Sequence, residues 1–205
     1  MAVRRERSPM YLRRFDVWRS ARGAAAGILL SLLPALLAVG AQSPGGGSPA
    51  RRLTEQDLRA AFERAQQALA AKDYPAAERG FKGFLKLDPQ SAAAYSNLGV
   101  VYMRTGRPDE AIRALKMAKK LDPHMVGIDL NLGLLYYRRQ DFRNAVPYFV
   151  RVVAAQPDSL QGHYLLGMSH FVLSQYGPAV AALEPIREQE KDDLDFLYML
   201  GIAYG

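Results

Sequence analysis

Three histidines are the side chains of this 205-residue sequence that could most directly carry metal or acid–base chemistry. His163 and His170 are seven residues apart, so a helix would place them on one face but about 10 Å apart along its axis. One metal ion needs a closer pair, such as i and i+4. His124 follows Pro123 and has no obvious acidic or histidine partner. The spacing of His163 and His170 therefore argues against a shared metal site.

The other signals of chemistry are weak or missing. The acidic cluster Glu188, Glu190, Asp192, Asp193 and Asp195 lacks the pattern of a calcium loop and predicts solubilising charge near a helix start. The sequence has no cysteine, which excludes disulfides and thiol nucleophiles. It also has no phosphate-binding glycine loop, nucleophile elbow or zinc-protease pattern. We therefore predict a protein that is not an enzyme and that needs no cofactor and no metal.

The net charge of +7 is concentrated at the N-terminus. Residues 1–41 contain seven arginines and two acidic residues, a net charge of +5, so the rest of the chain carries only +2. Such a balanced remainder generates no general field for polyanions. A basic stripe at Arg113, Lys116, Lys119 and Lys120 is typical of a solvated outer helix face. The sequence thus predicts no nucleic-acid partner.

The segment 1–41 has the three parts of an export signal. An arginine-rich stretch precedes the uncharged, mainly apolar run Ala24–Val39, and small residues at Val39 and Ala41 suit cleavage after Ala41. Residues 42–53, rich in Gly, Ser and Pro, predict a flexible linker. We expect a bacterial protein that is periplasmic or secreted. The alternative is an uncleaved signal anchor, with the chain facing the periplasm and touching the inner membrane only through residues 24–41.

From residue 54 onward the sequence repeats itself with a fixed period. Leu-Gly recurs at positions 98, 132, 166 and 200, and a dipeptide ending in Pro recurs at Pro89, Pro123 and Pro157. The step is 34 in each case, as 132 − 98 and 123 − 89 show. A fixed period of this size is typical of stacked helical units. The predicted units are residues 58–91, 92–125, 126–159, 160–193 and a truncated 194–205.

Each unit has the pattern of two amphipathic helices. Tyr95, Leu98, Gly99 and Tyr102 lie at i, i+3, i+4 and i+7, which is one helical face. Pro108 suits the first turn of a second helix, and a proline at 123 stops that helix. One pair alone cannot bury its apolar face, so the pairs must stack.

The repeated positions resemble those of the tetratricopeptide repeat family, whose pattern is an aromatic residue, Leu-Gly, Tyr, Ala, Phe or Leu, Ala and Pro. The corresponding packing residues are Tyr95, Leu98, Gly99, Tyr102, Ala111, Leu115, Ala118, Leu132, Gly133, Tyr136, Ala145, Phe149, Leu166, Gly167, Ala179 and Leu183. The resemblance implies an all-α fold, a right-handed α-solenoid of antiparallel helix pairs with about four complete units and the start of a fifth. Asp129 and His170 depart from the pattern, and Pro185 predicts a kink in a second helix.

The resemblance also implies a concave groove lined by the first helix of each pair. The groove positions of the family fall on Asn97, Val100, Met103, Arg104, Leu130, Asn131, Leu134, Tyr137, Arg138, Tyr164, Leu165, Met168 and Phe171. An apolar, aromatic surface with two Asn and two Arg suits an extended peptide or a partner helix. For aliphatic residues such as Leu130 and Leu134, the alternative is simple packing between helices.

Three functional hypotheses follow. The first is an exported scaffold that binds a protein or peptide. The second is a targeting or regulatory module of a larger secreted or membrane-anchored enzyme whose catalytic part lies beyond residue 205. The third is self-association through the fifth unit, which stops inside its first helix. Because solenoid ends need a cap, we expect either a fragment of a longer protein or a second subunit over this end.

Overall fold

The computed structural model describes residues 54–205. The predicted signal segment and linker lie outside these residues. The described chain is helical throughout and contains no strand. Its helices are α1 (Glu55–Ala70), α2 (Tyr74–Leu87), α3 (Ala92–Arg104), α4 (Pro108–Leu121), α5 (Val126–Arg138), α6 (Phe142–Ala155), α7 (Leu160–Val172), α8 (Tyr176–Leu183) and α9 (Leu194–Tyr204). None of them is long and apolar enough to cross a bilayer.

Short polar residues start most of these helices. Thr54 accepts a hydrogen bond from the backbone N–H of Asp57, whose side chain bonds back to the N–H of Thr54. This reciprocal capping box satisfies amide groups that the first helical turn leaves without partners. The side chains of Asp73, Ser91, Asp141, Ser159 and Asp193 cap later helices in the simpler one-bond form.

The turn inside each pair has a left-handed residue at the same place. Lys72, Gly106, Gln140 and Ser174 have φ values of 62°, 72°, 59° and 57°, and each stands one repeat after the one before it. A left-handed residue reverses the chain after a helix, and glycine adopts that conformation most cheaply. Only one of these four residues is glycine. The left-handed conformation therefore recurs once per repeat even though the residue type changes.

Close helix pairing in units 2, 3 and 4 depends on a glycine in the first helix. A methyl group built on Gly99 would lie 2.6 Å from Leu115, and one built on Gly133 would lie 2.6 Å from Phe149. Gly167 faces Leu183 in the same way. Because a β-carbon has no room there, the large side chain of the second helix packs directly on the backbone of the first.

The helices stack in chain order, each packing mainly on the helices before and after it. Buried apolar residues form the interior from Ala65 in α1 to Leu200 in α9. The result is an all-α solenoid of four helix pairs followed by the single helix α9, which confirms the predicted fold class.

Pro185 acts differently from the prediction. We expected a kink within the second helix of unit 4, but α8 ends at Leu183 and a 3-10 turn follows at Glu184–Ile186. A proline lacks the N–H that would bond to the preceding helical turn, so the helix stops before it.

Candidate peptide-binding groove

Helices α3 and α5 each bury one side and leave another side accessible, whereas residues 162–169 of α7 are all buried. In α3, Leu98, Gly99 and Tyr102 are buried, whereas Asn97 is half-buried and Arg104 is exposed. Residues 97 and 104 are seven positions apart, so they lie on one stripe of the helix, two turns apart. In α5 the same stripe carries Asn131, half-buried, and Arg138, exposed.

This stripe presents the same chemistry in two successive units. An Asn amide can both donate to and accept from a peptide backbone, and an Arg guanidinium can bind a carboxylate through two parallel bonds. Apolar side chains beside these groups are also accessible, since Val100, Met103, Leu130 and Phe171 are half-buried. The accessible surface of the predicted groove therefore combines backbone-binding amides, cations and apolar contacts.

Several predicted groove residues are instead buried between helices. Leu134, Tyr137, Tyr164 and Met168 are only 6%, 1%, 4% and 1% exposed, and Leu165 is buried as well. The ring of Tyr137 packs at 5.2 Å from Phe142 and 6.2 Å from Phe149, measured between ring centroids. In this structure these side chains pack between helices and present little surface. Ligand contact at these positions stays a prediction.

The predicted packing residues lie largely in the core. All of them are buried except Tyr95 and Tyr136, which are half-buried. The ring of Tyr136 stacks on that of Tyr148 with centroids 5.6 Å apart, and the guanidinium of Arg151 lies 4.7 Å from the Tyr148 ring. Burial raises the pKa of the Tyr148 hydroxyl, because partial desolvation disfavours its charged phenolate form.

Sequence reasoning missed a buried ionic cluster at Asp129. This residue is 3% exposed, and its carboxylate accepts hydrogen bonds from Lys119 Nζ at 2.6 Å and Arg151 Nε at 2.9 Å. The three side chains come from α4, α5 and α6, so the cluster ties two units together. The signal was present in the sequence, because Asp129 stands where unit 2 has Tyr95. Lys119, predicted to belong to a solvated stripe, is therefore partly buried.

A second ionic network joins the first two units. Arg107 lies before α4, donates to Glu78 of α2 at 2.6 Å and pairs with Glu110 at 2.5 Å. Its guanidinium carbon also lies 4.4 Å from the centroid of Tyr102. The Arg107 guanidinium lowers the pKa of the Glu78 carboxyl, with a further contribution from Lys82, and it lowers the pKa of Glu110.

The histidines at 163 and 170 take structural positions. His163 is buried, with Nδ1 2.8 Å from the carbonyl oxygen of Ala182 and Nε2 2.8 Å from that of Pro157. Carbonyl oxygens only accept hydrogen bonds, so the ring acts as a donor that links α7 to neighbouring backbone. His170 Nδ1 lies 2.7 Å from the side-chain oxygen of Gln175. Residues 54–205 contain no group of three or more His, Cys, Asp or Glu able to hold a metal ion.

A cavity of about 430 Å³ opens between α1 and α2. Its walls include Ala61 and Ala68, which stand one repeat before Tyr95 and Tyr102 and leave the space of those rings unfilled. Arg64 and Arg79 are the ionisable side chains on its walls. A catalytic pocket needs a convergent set of acids, bases or nucleophiles, which this lining lacks.

Comparison with known proteins agrees with this geometry. A family model described as tetratricopeptide repeat matches residues 57–126 and 130–184. The crystal structure of YrrB, described as a TPR protein with an unusual peptide-binding site, has a TM-score of 0.68 and 21% identity, covering 73% of this chain and 77% of that one. The crystal structure of MamA has a TM-score of 0.64 and 23% identity, covering 72% of this chain and 80% of that one.

A much longer curated protein also matches. The chain is 23% identical over 153 residues to the transcription factor tau 131 kDa subunit of Saccharomyces cerevisiae. The match covers 75% of this chain but only 15% of that relative. At these identities the similarities establish the fold.

Proposed function

Because the chain belongs to the tetratricopeptide repeat family, whose members are protein-binding scaffolds, we propose that it holds an extended peptide or a partner helix along α3 and α5. The observation that carries this proposal is the repeated pair of Asn97 with Arg104 and Asn131 with Arg138 on one accessible stripe. Two amides at equivalent positions of successive units can bind a peptide backbone in register. The binding of a peptide by YrrB, a protein of similar fold, supports the same conclusion.

The groove proposal predicts loss of peptide binding without loss of fold. Peptides selected from a random 12-residue display library on the full-length protein serve as the probe. The double substitution Asn97→Ala with Asn131→Ala should weaken their binding by about tenfold or more, since each lost hydrogen bond contributes about 1 kcal/mol. Fluorescence anisotropy measures binding, and circular dichroism checks helicity.

Asn144→Ala supplies the matched control for this experiment. Asn144 is exposed at the start of α6 and bonds to its helix cap at Asp141. Its replacement should leave peptide affinity unchanged. If the double variant binds as tightly as the parent, or if Asn144→Ala weakens binding equally, the stripe is not the binding surface.

We also propose that the scaffold is exported from a bacterial cell. The arginine-rich segment, the apolar run Ala24–Val39 and the small residues up to Ala41 support this proposal. Alkaline phosphatase, which is active only after export, can be fused to residues 1–41. Leu30→Arg with Leu32→Arg should then abolish reporter activity, and retained activity would contradict export by this signal.

The alternative proposal is a binding module within a larger secreted or membrane-anchored enzyme. The match to the tau subunit supports only one part of this alternative, namely that such repeats can form a small part of a much longer protein. A catalytic motif encoded in frame with these repeats would favour this alternative over a pure scaffold.

A further inference from the structure

The second helices of units 1 and 2 carry the same three cations at equivalent positions. In each helix these residues are spaced i, i+3 and i+7, which places them on one stripe. All six side chains are exposed. We call this set the basic face, and it consists of Arg79, Lys82 and Lys86 in α2 and of Arg113, Lys116 and Lys120 in α4.

The basic face lies on the side of each helix that is turned away from the core. The buried residues of α4 are Ala111, Ala114, Leu115 and Ala118. With about 3.6 residues per turn, their mean direction is roughly opposite that of the stripe. In α2 the buried Ala77, Phe81 and Phe84 stand one repeat before three of them. The basic face therefore belongs to second helices and is separate from the proposed groove along α3 and α5.

The carboxylates of the same two helices are already engaged. Helices α2 and α4 contain Glu78, Asp109 and Glu110 as their acidic residues. Asp109 and Glu110 pair with arginines outside the basic face, and Glu78 pairs with another such arginine and with Lys82. Among residues 54–205, the other five cations of the basic face form no ion pair. Their positive charge therefore stays directed at the solvent.

Charge is unevenly distributed along the repeats. Residues 74–155 contain 13 basic and seven acidic side chains, a net charge of +6, whereas residues 156–205 contain two basic and seven acidic side chains, a net charge of −5. In unit 3 the positions equivalent to the basic face hold Pro147, Val150 and Ala154. The small net charge of the repeats thus conceals a local positive field on the outer side of α2 and α4.

The composition of this surface favours a lipid headgroup layer over a nucleic acid. Leu87 and Met117 stand beside Lys86 and Lys116 and are 45% and 40% exposed. Cations flanked by exposed apolar side chains suit the boundary between charged headgroups and acyl chains. Recognition of single-stranded nucleic acid needs aromatic rings for base stacking, and no aromatic side chain of α2 or α4 is exposed.

We propose that the basic face docks the repeats on the surface of an anionic lipid bilayer. Its Lys and Arg side chains bind headgroup phosphates, and Leu87 and Met117 enter the layer between headgroups and acyl chains. The cations are spread over two helices and converge on no single point. A fluid bilayer can place a headgroup against each of them, whereas a rigid acidic protein would need carboxylates that match both rows.

A fluorophore attached to the basic face tests for this contact in the full-length protein. The sequence has no cysteine, so Met117→Cys creates a single attachment site for an environment-sensitive dye. Vesicles of equal parts phosphatidylcholine and phosphatidylglycerol should shift its emission to the blue, and added salt should weaken this response. Vesicles of phosphatidylcholine alone should not shift it. A dye at Gln66→Cys, exposed on α1 one repeat before Val100, should report no change with either vesicle.

Removing one row of cations should weaken vesicle binding. Arg113→Gln with Lys116→Gln and Lys120→Gln should raise the lipid concentration at half-maximal emission change by about tenfold or more, because each cation near an anionic membrane adds to the affinity. Residues 1–53 are the same in every variant, so their own affinity for vesicles cancels in the comparison. Should the triple variant lose helicity, Arg79→Gln with Lys86→Gln tests the other row.

A second triple variant removes the same charge outside the basic face. Arg59→Gln, Lys72→Gln and Lys191→Gln replace three exposed cations, and a glutamine already stands two repeats after Lys72, at Gln140. This variant should bind anionic vesicles as tightly as the parent. An equal loss of affinity in the two triple variants would show that net charge alone attracts the protein.

Three further results would overturn the proposal. One is an unchanged emission of the Met117→Cys dye with anionic vesicles at low salt. Another is an equal response to neutral vesicles or at Gln66→Cys. The third is tighter binding, per unit of charge, to duplex DNA or polyglutamate than to anionic vesicles, since the partner would then be a nucleic acid or an acidic protein. A response confined to anionic vesicles and weakened only by loss of the basic face supports docking on a bilayer.

Discussion

Asp129 illustrates how a single residue changes the packing of a repeat. Its carboxylate is buried among α4, α5 and α6, where the equivalent position of unit 2 holds an aromatic ring. Burying a charge is unfavourable unless it is paired, and here Lys119 and Arg151 supply two cationic donors. The cluster therefore replaces aromatic packing with a link between units 2 and 3.

We predict that Asp129→Ala lowers the free energy of unfolding by about 1–3 kcal/mol, because hydrogen bonds to charged groups are lost and two cations remain without their partner. The loss is small for a buried carboxylate because Arg151 is 45% exposed and water screens part of its charge. Urea unfolding followed by circular dichroism measures the change.

Asp109→Ala is the control for this comparison. Asp109 forms an ion pair with Arg139, but the side chain of Asp109 is 72% exposed. Its replacement should change stability little, since exposed ion pairs contribute little. Equal losses in the two variants would show that burial of the Asp129 cluster has no special effect.

At the scale of the helix pair, a glycine decides how closely two helices approach. Gly133 lies in α5 directly against the ring of Phe149 in α6, with no room for a β-carbon. Gly83 lies in α2 with open space around it. The same substitution at the two positions therefore separates a packing requirement from helix propensity.

We predict that Gly133→Ala destabilises the protein by about 1–3 kcal/mol, because the new methyl group displaces Phe149. Gly83→Ala should instead stabilise it by up to about 1 kcal/mol, because alanine favours the helix over glycine. Adding Phe149→Leu to Gly133→Ala should recover part of the loss. Thermal unfolding of the variants tests these signs, and stabilisation by Gly133→Ala would contradict the close packing.

At the scale of the whole molecule, each unit packs mainly on the units next to it. Ionic networks and shared apolar cores join these neighbouring units. The network of Glu78, Arg107 and Glu110 spans the first two units, and the Asp129 cluster spans units 2 and 3. In a solenoid, stability depends on each unit and on its interface with the neighbour. Loss of one network should therefore weaken one junction while distant units keep their structure.

The first network makes a definite prediction for acid stability. Arg107 lowers the pKa of Glu78 and Glu110 in the folded protein. The stabilisation is complete above the ordinary carboxyl pKa of 4.5 and is lost as the pH falls through the lowered folded-state values. We expect Arg107→Gln to reduce the melting temperature at pH 7 and to flatten its decline between about pH 5 and pH 2.

Arg143→Gln provides the comparison for this pH series. Arg143 is exposed on α6, and its replacement removes the same charge outside the network. Its melting temperature should follow the parent curve across the whole range. An unchanged acid dependence in Arg107→Gln would indicate that the network does not contribute to the stability of the folded chain.

Most of the architecture could be predicted from the sequence because it depends on local, repeated signals. The spacing of Leu98 and Gly99 with Tyr102 specifies an amphipathic helix, and prolines one repeat apart specify where second helices stop. Each unit packs mainly on its neighbours, so the same pattern repeated along the chain determines the stack. The recurrence of Asn97 and Arg104 as Asn131 and Arg138 was also visible in the sequence. Their place in a groove is what the family resemblance implies, and their role as a ligand surface stays a prediction.

Only the tertiary structure decided which of the predicted groove residues are accessible. Met103 and Tyr137 occupy equivalent positions, yet Met103 is half-buried while Tyr137 is buried against Phe142 and Phe149. Burial at such a position depends on the size of side chains in adjoining helices, which the pattern of one helix does not contain. The partners of Asp129 were decided in the same way, by side chains of neighbouring helices that only packing brings together.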